Sequence, residues 1–119
     1  MPGPDPALRW PERGSTAMLP GITVALAHGQ RLTAALYSLD PGAEVPAHSH
    51  GNEEFGQVLA GSLELTADGR AQTLAAGEGF LLPSGMPHSA VAGPDGCQLL
   101  ECYAPPRVPA APPPAAGPA

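Results

Sequence analysis

The sequence predicts an all-β protein, either a barrel or a sandwich. Many short runs of β-competent residues follow one another at close, regular spacing, and no full window shows helical periodicity. Short strands at this spacing are typical of closed or layered β architectures. The predicted strands cover residues 22–27, 31–39, 43–50, 55–60, 62–66, 71–74, 79–83, 88–92 and 97–103.

Turn-forming residues separate these strands. Asp40-Pro41-Gly42 is a strong turn signal, and Pro46 keeps the following segment extended. His28 stands in the run His28-Gly29-Gln30, which suits a hairpin turn between the first two strands. With no second ligand close in sequence, His28 is interpreted as a turn residue.

The distribution of proline predicts one folded domain between two tails. The chain has 119 residues, enough for a single modest core, and its 17 prolines crowd towards both ends. We expect a loosely ordered Pro-rich segment over 1–14, the barrel over 15–104 and a Pro/Ala-rich extended tail over 105–119.

Charge and hydropathy exclude several function classes. The net charge is −6 and all five basic residues are arginines, so a broad basic surface for nucleic acid or anionic lipid is missing. No apolar run approaches the roughly 20 residues that span a bilayer, and the start has no apolar core of a signal peptide. These features predict a soluble cytoplasmic protein that binds neither nucleic acid nor membrane.

The two cysteines are predicted to be free thiols. Cys97 and Cys102 lie five positions apart in one predicted strand, and an odd separation points side chains to opposite faces. A disulfide between them is therefore disfavoured, as expected in a reducing compartment.

Three histidines and a glutamate form a candidate metal site. His48 and His50 are two apart on a predicted strand and face the same side, while Glu54 follows after a turn and His88 comes from a later strand. Imidazole nitrogens with one carboxylate suit a single divalent transition ion, namely Fe, Mn, Ni, Zn or Cu, with positions left open for chemistry. Gly56 lies two residues after Glu54 and should face the same side of the strand, so the absence of a side chain at Gly56 predicts space beside the ion.

Two sequence motifs resemble those of the cupin superfamily over roughly residues 20–104. The first motif matches in every position, as Gly42-x5-His48-x-His50-x3-Glu54-x6-Gly61. The second matches as Gly77-x5-Pro83-x-Gly85-x2-His88, except that its closing Asn is replaced by Ala92. The resemblance implies a double-stranded β-helix, or jelly-roll barrel, with His48, His50, Glu54 and His88 as metal ligands.

A narrower resemblance is to small single-domain cupins of the pectin-degradation KdgF type. It rests on residues 48–56, 58–61 and 98–107, and implies roles in ring opening of unsaturated uronates for Glu101, Tyr103 and Arg107. Parity places Glu101 and Tyr103 on one side of their strand, where they could move a proton, and Arg107 could pair with a substrate carboxylate. An edge strand with a salt-linked arginine explains the same residues equally well.

Two departures separate the chain from that type. Glu54 stands where the type commonly has Gln, and Val108-Pro109-Ala110 replaces its acidic and aromatic continuation. The fold and ligands are therefore expected to transfer, and the uronate substrate is not.

The leading functional hypothesis is a metal-dependent enzyme for non-oxidative proton transfer on a small polar, anionic molecule, such as a sugar acid or a secondary metabolite. Isomerase, cyclase, ring-opening and lyase chemistry all fit. The alternatives are an Fe(II)-dependent dioxygenase and a non-enzymatic small-molecule-binding or sensory cupin. Exposed sheet edges on so small a barrel further predict a homodimer.

Overall fold

A computed structural model describes residues 5–109, and nearly all of its regular structure is β-strand. A single 3-10 turn at Trp10–Glu12 precedes the strands. The eight strands are β1 Thr16–Leu19, β2 Ile22–His28, β3 Thr33–Leu39, β4 Glu44–His48, β5 Glu53–Ala67, β6 Arg70–Ala75, β7 Gly79–Leu82 and β8 His88–Ala104. The all-β jelly-roll prediction is confirmed.

Two long strands, β5 and β8, organise the barrel. Hydrogen bonding links the strands in the order β1-β2-β3-β8-β5-β6, while β4 pairs with β8 and β7 pairs with β5. Every pair is antiparallel. The second half of β8 lies between β3 and β5, and its first half lies between β4 and β5. The long pair therefore carries both sides of the barrel.

The two long strands were each predicted as two separate strands, and that division is wrong. β5 continues through Gly61 and β8 continues through residues 93–96. The register between them shifts on both sides of Gly61, which marks a β-bulge and not a turn. Gly61 has a positive φ of 75°, and a Cβ there would collide with the carbonyl oxygen of Gly96. Glycine thus permits the close crossing at which both strands bend.

Alternation along the strands sends apolar side chains inwards. On β3 the buried positions are Thr33, Ala35, Tyr37 and Leu39, every second residue. Ala35, Tyr37 and Leu39 belong to a core cluster that also includes Leu99 on the adjacent strand β8 and Val58 and Leu63 on β5. The resulting core holds the inner faces of β5 and β8 in fixed positions.

The cysteines lie on opposite sides of β8, as predicted. Cys97 is buried, Cys102 is half-buried, and both are free thiols.

The segments that flank the barrel contact it. β1 was not predicted, and it pairs with β2 at the edge of the sheet. After β8, the Asn52 side-chain amide donates to the Pro105 carbonyl over 2.5 Å, and the Arg107 backbone N–H donates to Thr33 Oγ1 over 3.1 Å. Residues 105–109 therefore follow the barrel wall. The remainder of the predicted tail, 110–119, and the first four residues lie outside the described residues.

Within residues 5–109, no helix is both long and apolar enough to cross a membrane.

Candidate metal centre

Three histidines from two neighbouring strands and the following loop converge on one point. His48 ends β4 and pairs in register with His88 at the start of β8, while His50 follows in the loop. Their potential ligand atoms all lie within 4.8 Å of one another. The ring centroids of His48 and His88 are 4.3 Å apart, and that of His50 is 5.7 Å and 5.2 Å from them. The three side chains are positioned to bind one metal ion.

Each of these rings is oriented by a backbone carbonyl. The Nδ1 atoms of His48, His50 and His88 lie 2.8, 3.2 and 2.9 Å from the carbonyl oxygens of Pro46, Asn52 and Met86. A carbonyl only accepts hydrogen bonds, so each Nδ1 carries the proton and each Nε2 is left for the centre. Metal-binding histidines are commonly fixed in this way, through the nitrogen that does not bind the ion.

Glu54 contacts two of the three histidines. Its side chain is buried, with 2% exposure, and Oε1 lies 2.9 Å from His50 Nε2 and 3.5 Å from His88 Nε2. The compact group of ligand atoms within 4.8 Å comprises the histidines alone. With Nδ1 already donating, a ring can also donate from Nε2 only as a cation. A divalent ion would supply that positive charge instead, so the donor set fits a metal.

The charges of the cluster shift its pKa values in opposite directions. Burial lowers the pKa of His48 below its ordinary value. Burial also opposes the charged form of His88, but its hydrogen bonds to Glu54 and to the Met86 carbonyl raise the pKa of His88 overall. Burial acts to raise the pKa of Glu54, yet hydrogen bonds from His88 and Glu101 outweigh it and hold that pKa below its usual range. Glu54 is thus kept as a carboxylate.

Glu101 places a second carboxyl group beside Glu54. It projects from β8 opposite Gly56 of β5, with 8% exposure, so its side chain is inside the barrel, on the same face of β8 as Tyr103. Burial, together with the charge of Glu54 and a hydrogen bond to it, raises the pKa of Glu101 well above its ordinary value. The pKa values of these two neighbouring carboxyl groups are therefore shifted in opposite directions.

A chain of hydrogen bonds extends from Glu101 to two tyrosines. The Tyr103 hydroxyl donates to Glu101 Oε1, and the Tyr37 hydroxyl lies 2.5 Å from that of Tyr103. Because the Tyr103 hydroxyl donates its hydrogen bond to Glu101, the Tyr37 hydroxyl must be the donor in the hydrogen bond to Tyr103. Burial and the nearby Glu101 raise the pKa of both tyrosines. Tyr37 was not predicted as a site residue, although its inward parity on β3 is visible in the sequence.

Arg107 lies against the same wall. Its guanidinium carbon is 5.4 Å from the centroid of the Tyr103 ring, a cation–π distance. Its Nε atom is buried and has no hydrogen-bond partner among residues 5–109. The structure therefore brings Glu101, Tyr103 and Arg107 together beside the histidines.

The expected space beside Gly56 is absent, and that prediction is wrong. Gly56 pairs in register with Phe80 of β7, and a Cβ on Gly56 would collide with the Phe80 ring. The missing side chain makes room for an aromatic ring, which sequence parity could not indicate.

These groups line one cavity of about 330 Å³ inside the barrel. Its polar end is formed by His48, His50, Glu54, His88 and Glu101, with Tyr103 and Arg107 beside them. Its apolar end is formed by Met18, Leu19, Leu39 and Leu63. A cavity of this size lies at the lower limit of small-molecule sites, which occupy about 300 to 1,000 Å³.

Comparison with known proteins gives a family and a fold. A family model for the cupin domain matches residues 35–102. The structure of KdgF from Halomonas sp. is similar, with 28% identity and a TM-score of 0.77 over 81% of this chain and 89% of that one. An RmlC-like cupin from Shewanella frigidimarina has 25% identity and a TM-score of 0.81 over 87% and 94% of the two chains.

More distant similarity shows the fold alone. Oxalate decarboxylase of Bacillus subtilis, a protein with Mn(II) centres, has 23% identity and a TM-score of 0.73. The alignment covers 82% of this chain but only 29% of that larger protein. A sequence comparison with curated proteins gives no significant match.

Proposed function

Since this chain belongs to the cupin family, we propose that it is a metal-dependent enzyme that carries out non-oxidative proton transfer on a small anionic molecule. In this proposal His48, His50, Glu54 and His88 hold one divalent transition ion. Glu101 and Tyr103 move protons, and Arg107 binds an anionic group of the substrate.

The observation that carries the proposal is the common orientation of the three imidazoles. Each Nδ1 is engaged by a backbone carbonyl, so three Nε2 atoms face one point with the Glu54 carboxylate next to them. A satisfied core histidine needs no such convergence with two others. Three nitrogens and one oxygen leave open positions on an octahedral ion for a substrate.

A bound divalent ion would supply Lewis-acid polarisation of a substrate carbonyl or hydroxyl oxygen. The protein's own contribution is a pair of groups for proton transfer. Burial beside Glu54 raises the pKa of Glu101 well above its ordinary value, which favours its protonated form, and Tyr103 is hydrogen-bonded to it. In isomerisation, ring opening or elimination, one substrate atom loses a proton and another receives one. No external oxidant or reductant is needed for that balance.

The anionic character of the substrate is supported by Arg107. A buried guanidinium nitrogen without a partner is costly, and a substrate carboxylate or similar anion would satisfy it. The similarity to KdgF makes sugar acids the first class to assay, followed by acidic secondary metabolites.

The test compares metal-free and reloaded protein on a panel of uronates and other small acids. Protein stripped with a chelator is reloaded separately with Fe(II), Mn(II), Ni(II), Zn(II) or Cu(II), and products are followed by proton NMR in D₂O. We expect turnover only after reloading, and none in His48→Ala. His28→Ala is the matched control, because His28 contacts Thr33 and lies outside the histidine cluster. Turnover by metal-free protein would contradict the proposal, and oxygen consumption by the iron form would assign a dioxygenase instead.

We also propose that the chain forms a homodimer through the outer surface of its sheet. Leu32, Phe55 and Leu81 are exposed around one shallow groove, and Leu81 on β7 is 71% exposed. An apolar cluster of this kind on a small barrel favours self-association. Light scattering should give twice the chain mass of 12.0 kDa, and Leu81→Asp should give the monomer. A monomeric mass for the unaltered protein would refute the dimer.

A further inference from the structure

The walls of the cavity define the substrate more narrowly than the metal centre does. Charged and hydrogen-bonding groups lie at the polar end, whereas the half-buried apolar side chains of Met18 and Leu19 reach the cavity from the edge strand β1. At these positions a bound molecule would contact apolar side chains and would find no side chain able to form a hydrogen bond with it.

Strand register shows that the two ends are separated along the barrel. Leu39 pairs with Cys97, four residues before Glu101 on β8. Leu63 pairs with Ala92, four residues after His88 on the same strand. Four residues of strand correspond to about 13 Å. A molecule bound at the metal centre that is long enough to extend along the cavity would therefore place its far part among apolar side chains.

The edge strand β1 adds to this wall in an unusual way. Neighbouring residues of a regular strand face opposite sides, yet Met18 and Leu19 both line the cavity. The register of β1 against β2 shifts between Ala17 and Leu19, and this bulge re-aims the side chains. Two apolar groups thereby reach the cavity from a strand that would otherwise supply one.

From this division we propose that the substrate is an amphipathic acid, with an anionic head at the metal centre and an apolar body, aryl or alkyl, at the opposite end. The inference rests on the proposed function and narrows its substrate class. A sugar acid carries hydroxyl groups along its whole length, and those far from the metal would lose water without gaining partners. An aryl or alkyl body loses nothing there and gains from leaving water.

Binding of two probe acids tests this selectivity without any assay of turnover. Isothermal titration calorimetry is run on the protein as isolated with 3-phenylpropanoate and with D-galacturonate, and with acetate as a head-only probe. We expect 3-phenylpropanoate to bind at least tenfold more tightly than D-galacturonate. Equal affinity, or preference for D-galacturonate, would overturn the proposal.

A pair of variants locates the apolar contact. Met18→Gln keeps the side-chain length on an edge strand but adds polarity, and should weaken 3-phenylpropanoate about tenfold with acetate unchanged. Leu59→Gln is the matched control, because Leu59 is 46% exposed on β5 and does not line the cavity. An equal effect of the two variants on 3-phenylpropanoate affinity would count against the proposed wall.

Metal content of the same samples separates this inference from the proposed function. One ion per chain together with preference for D-galacturonate refutes the amphipathic substrate and leaves the metal-dependent enzyme standing. Tight binding of 3-phenylpropanoate by protein that holds no ion and takes none up refutes the metal-dependent function and supports the apolar site.

Discussion

At the polar end of the cavity, buried ionisable groups are held by backbone carbonyls and by one another, whereas at the apolar end carbon surfaces pack without any such partners. The polar end combines residues 48–54 with side chains from β8, among them His88 and Glu101. The apolar end is assembled from β1, β3 and β5. Different side chains therefore serve the chemistry and the fit of the substrate, so variants at one end should leave the other intact.

The largest effect is expected for His88→Ala on metal affinity. Loss of partners that merely orient a ligand costs about 10- to 100-fold, so loss of a ligand itself should cost at least about 1,000-fold, or roughly 4 kcal/mol. Competition with a chromophoric chelator measures this affinity. His28→Ala should bind the ion like the unaltered protein. A His88→Ala protein that binds metal normally would remove His88 from the ligand set.

Leu63→Ala, at the apolar end, should lower the stability of the fold and leave the metal affinity unchanged. Leu63 is 1% exposed, and its truncation leaves a void that should lower the free energy of unfolding by about 3 kcal/mol. Urea denaturation of the metal-free protein measures this loss. The metal affinity of the folded variant should stay within about twofold of that of the unaltered protein, because changes at distant, independent sites do not affect one another. A large loss of metal affinity would show that the two ends are coupled.

Tyr37→Phe examines the group that joins the two ends. The change removes one buried hydroxyl and its hydrogen bond to Tyr103, which should cost about 1.5 kcal/mol of unfolding free energy. Chemical denaturation of the variant checks the value, and the metal affinity should not change. A variant as stable as the parent would mean that the Tyr37 hydroxyl contributes nothing to the chain of hydrogen bonds.

The smallest effect concerns pH and Cys97. Burial, with the charge of Glu101, raises the pKa of Cys97 to about 11 in the folded chain. In an unfolded chain the thiol loses its proton at about pH 8.5. Between about pH 8.5 and 11 the folded state therefore binds this proton more tightly than the unfolded state does. The contribution of the Cys97 thiol to the free energy of unfolding is complete below about pH 8.5 and is lost as the pH rises towards 11. The loss amounts to about 1 kcal/mol by pH 9.5.

The measurement is the difference in unfolding free energy between pH 8 and pH 9.5 for the parent and for Cys97→Ala. The variant should lose less stability over this interval than the parent. Identical slopes would show that Cys97 does not contribute to the alkaline loss.

The sequence was most informative where the relevant residues are close together. His48, His50 and Glu54 lie within seven positions, and strand alternation alone orients two of them. Parity also placed Glu101 and Tyr103 on one side of their strand, and the structure shows that this side is the barrel interior.

The remaining features depend on which strands become neighbours. Phe80 fills the space at Gly56 because β7 pairs with β5. The register of that pairing cannot be read from the residues near either position in the sequence. Tyr37 on β3 contacts Tyr103 on β8, although the two residues are 66 positions apart in the sequence. Position 61 separates two predicted strands because glycine marks turns and bulges alike, and the sequence alone does not distinguish them. Register, and with it the shape of the apolar end, is a property of the assembled sheet.

The most direct test of the metal centre combines elemental analysis with X-ray absorption on the protein as natively isolated. We predict one divalent transition ion per chain, surrounded by nitrogen and oxygen atoms with the scattering signature of about three imidazoles. The ion should be absent from a His48→Ala, His88→Ala double variant. Protein that is isolated without an ion and fails to bind one, or an ion bound through the sulfur of a cysteine, would contradict the proposed site.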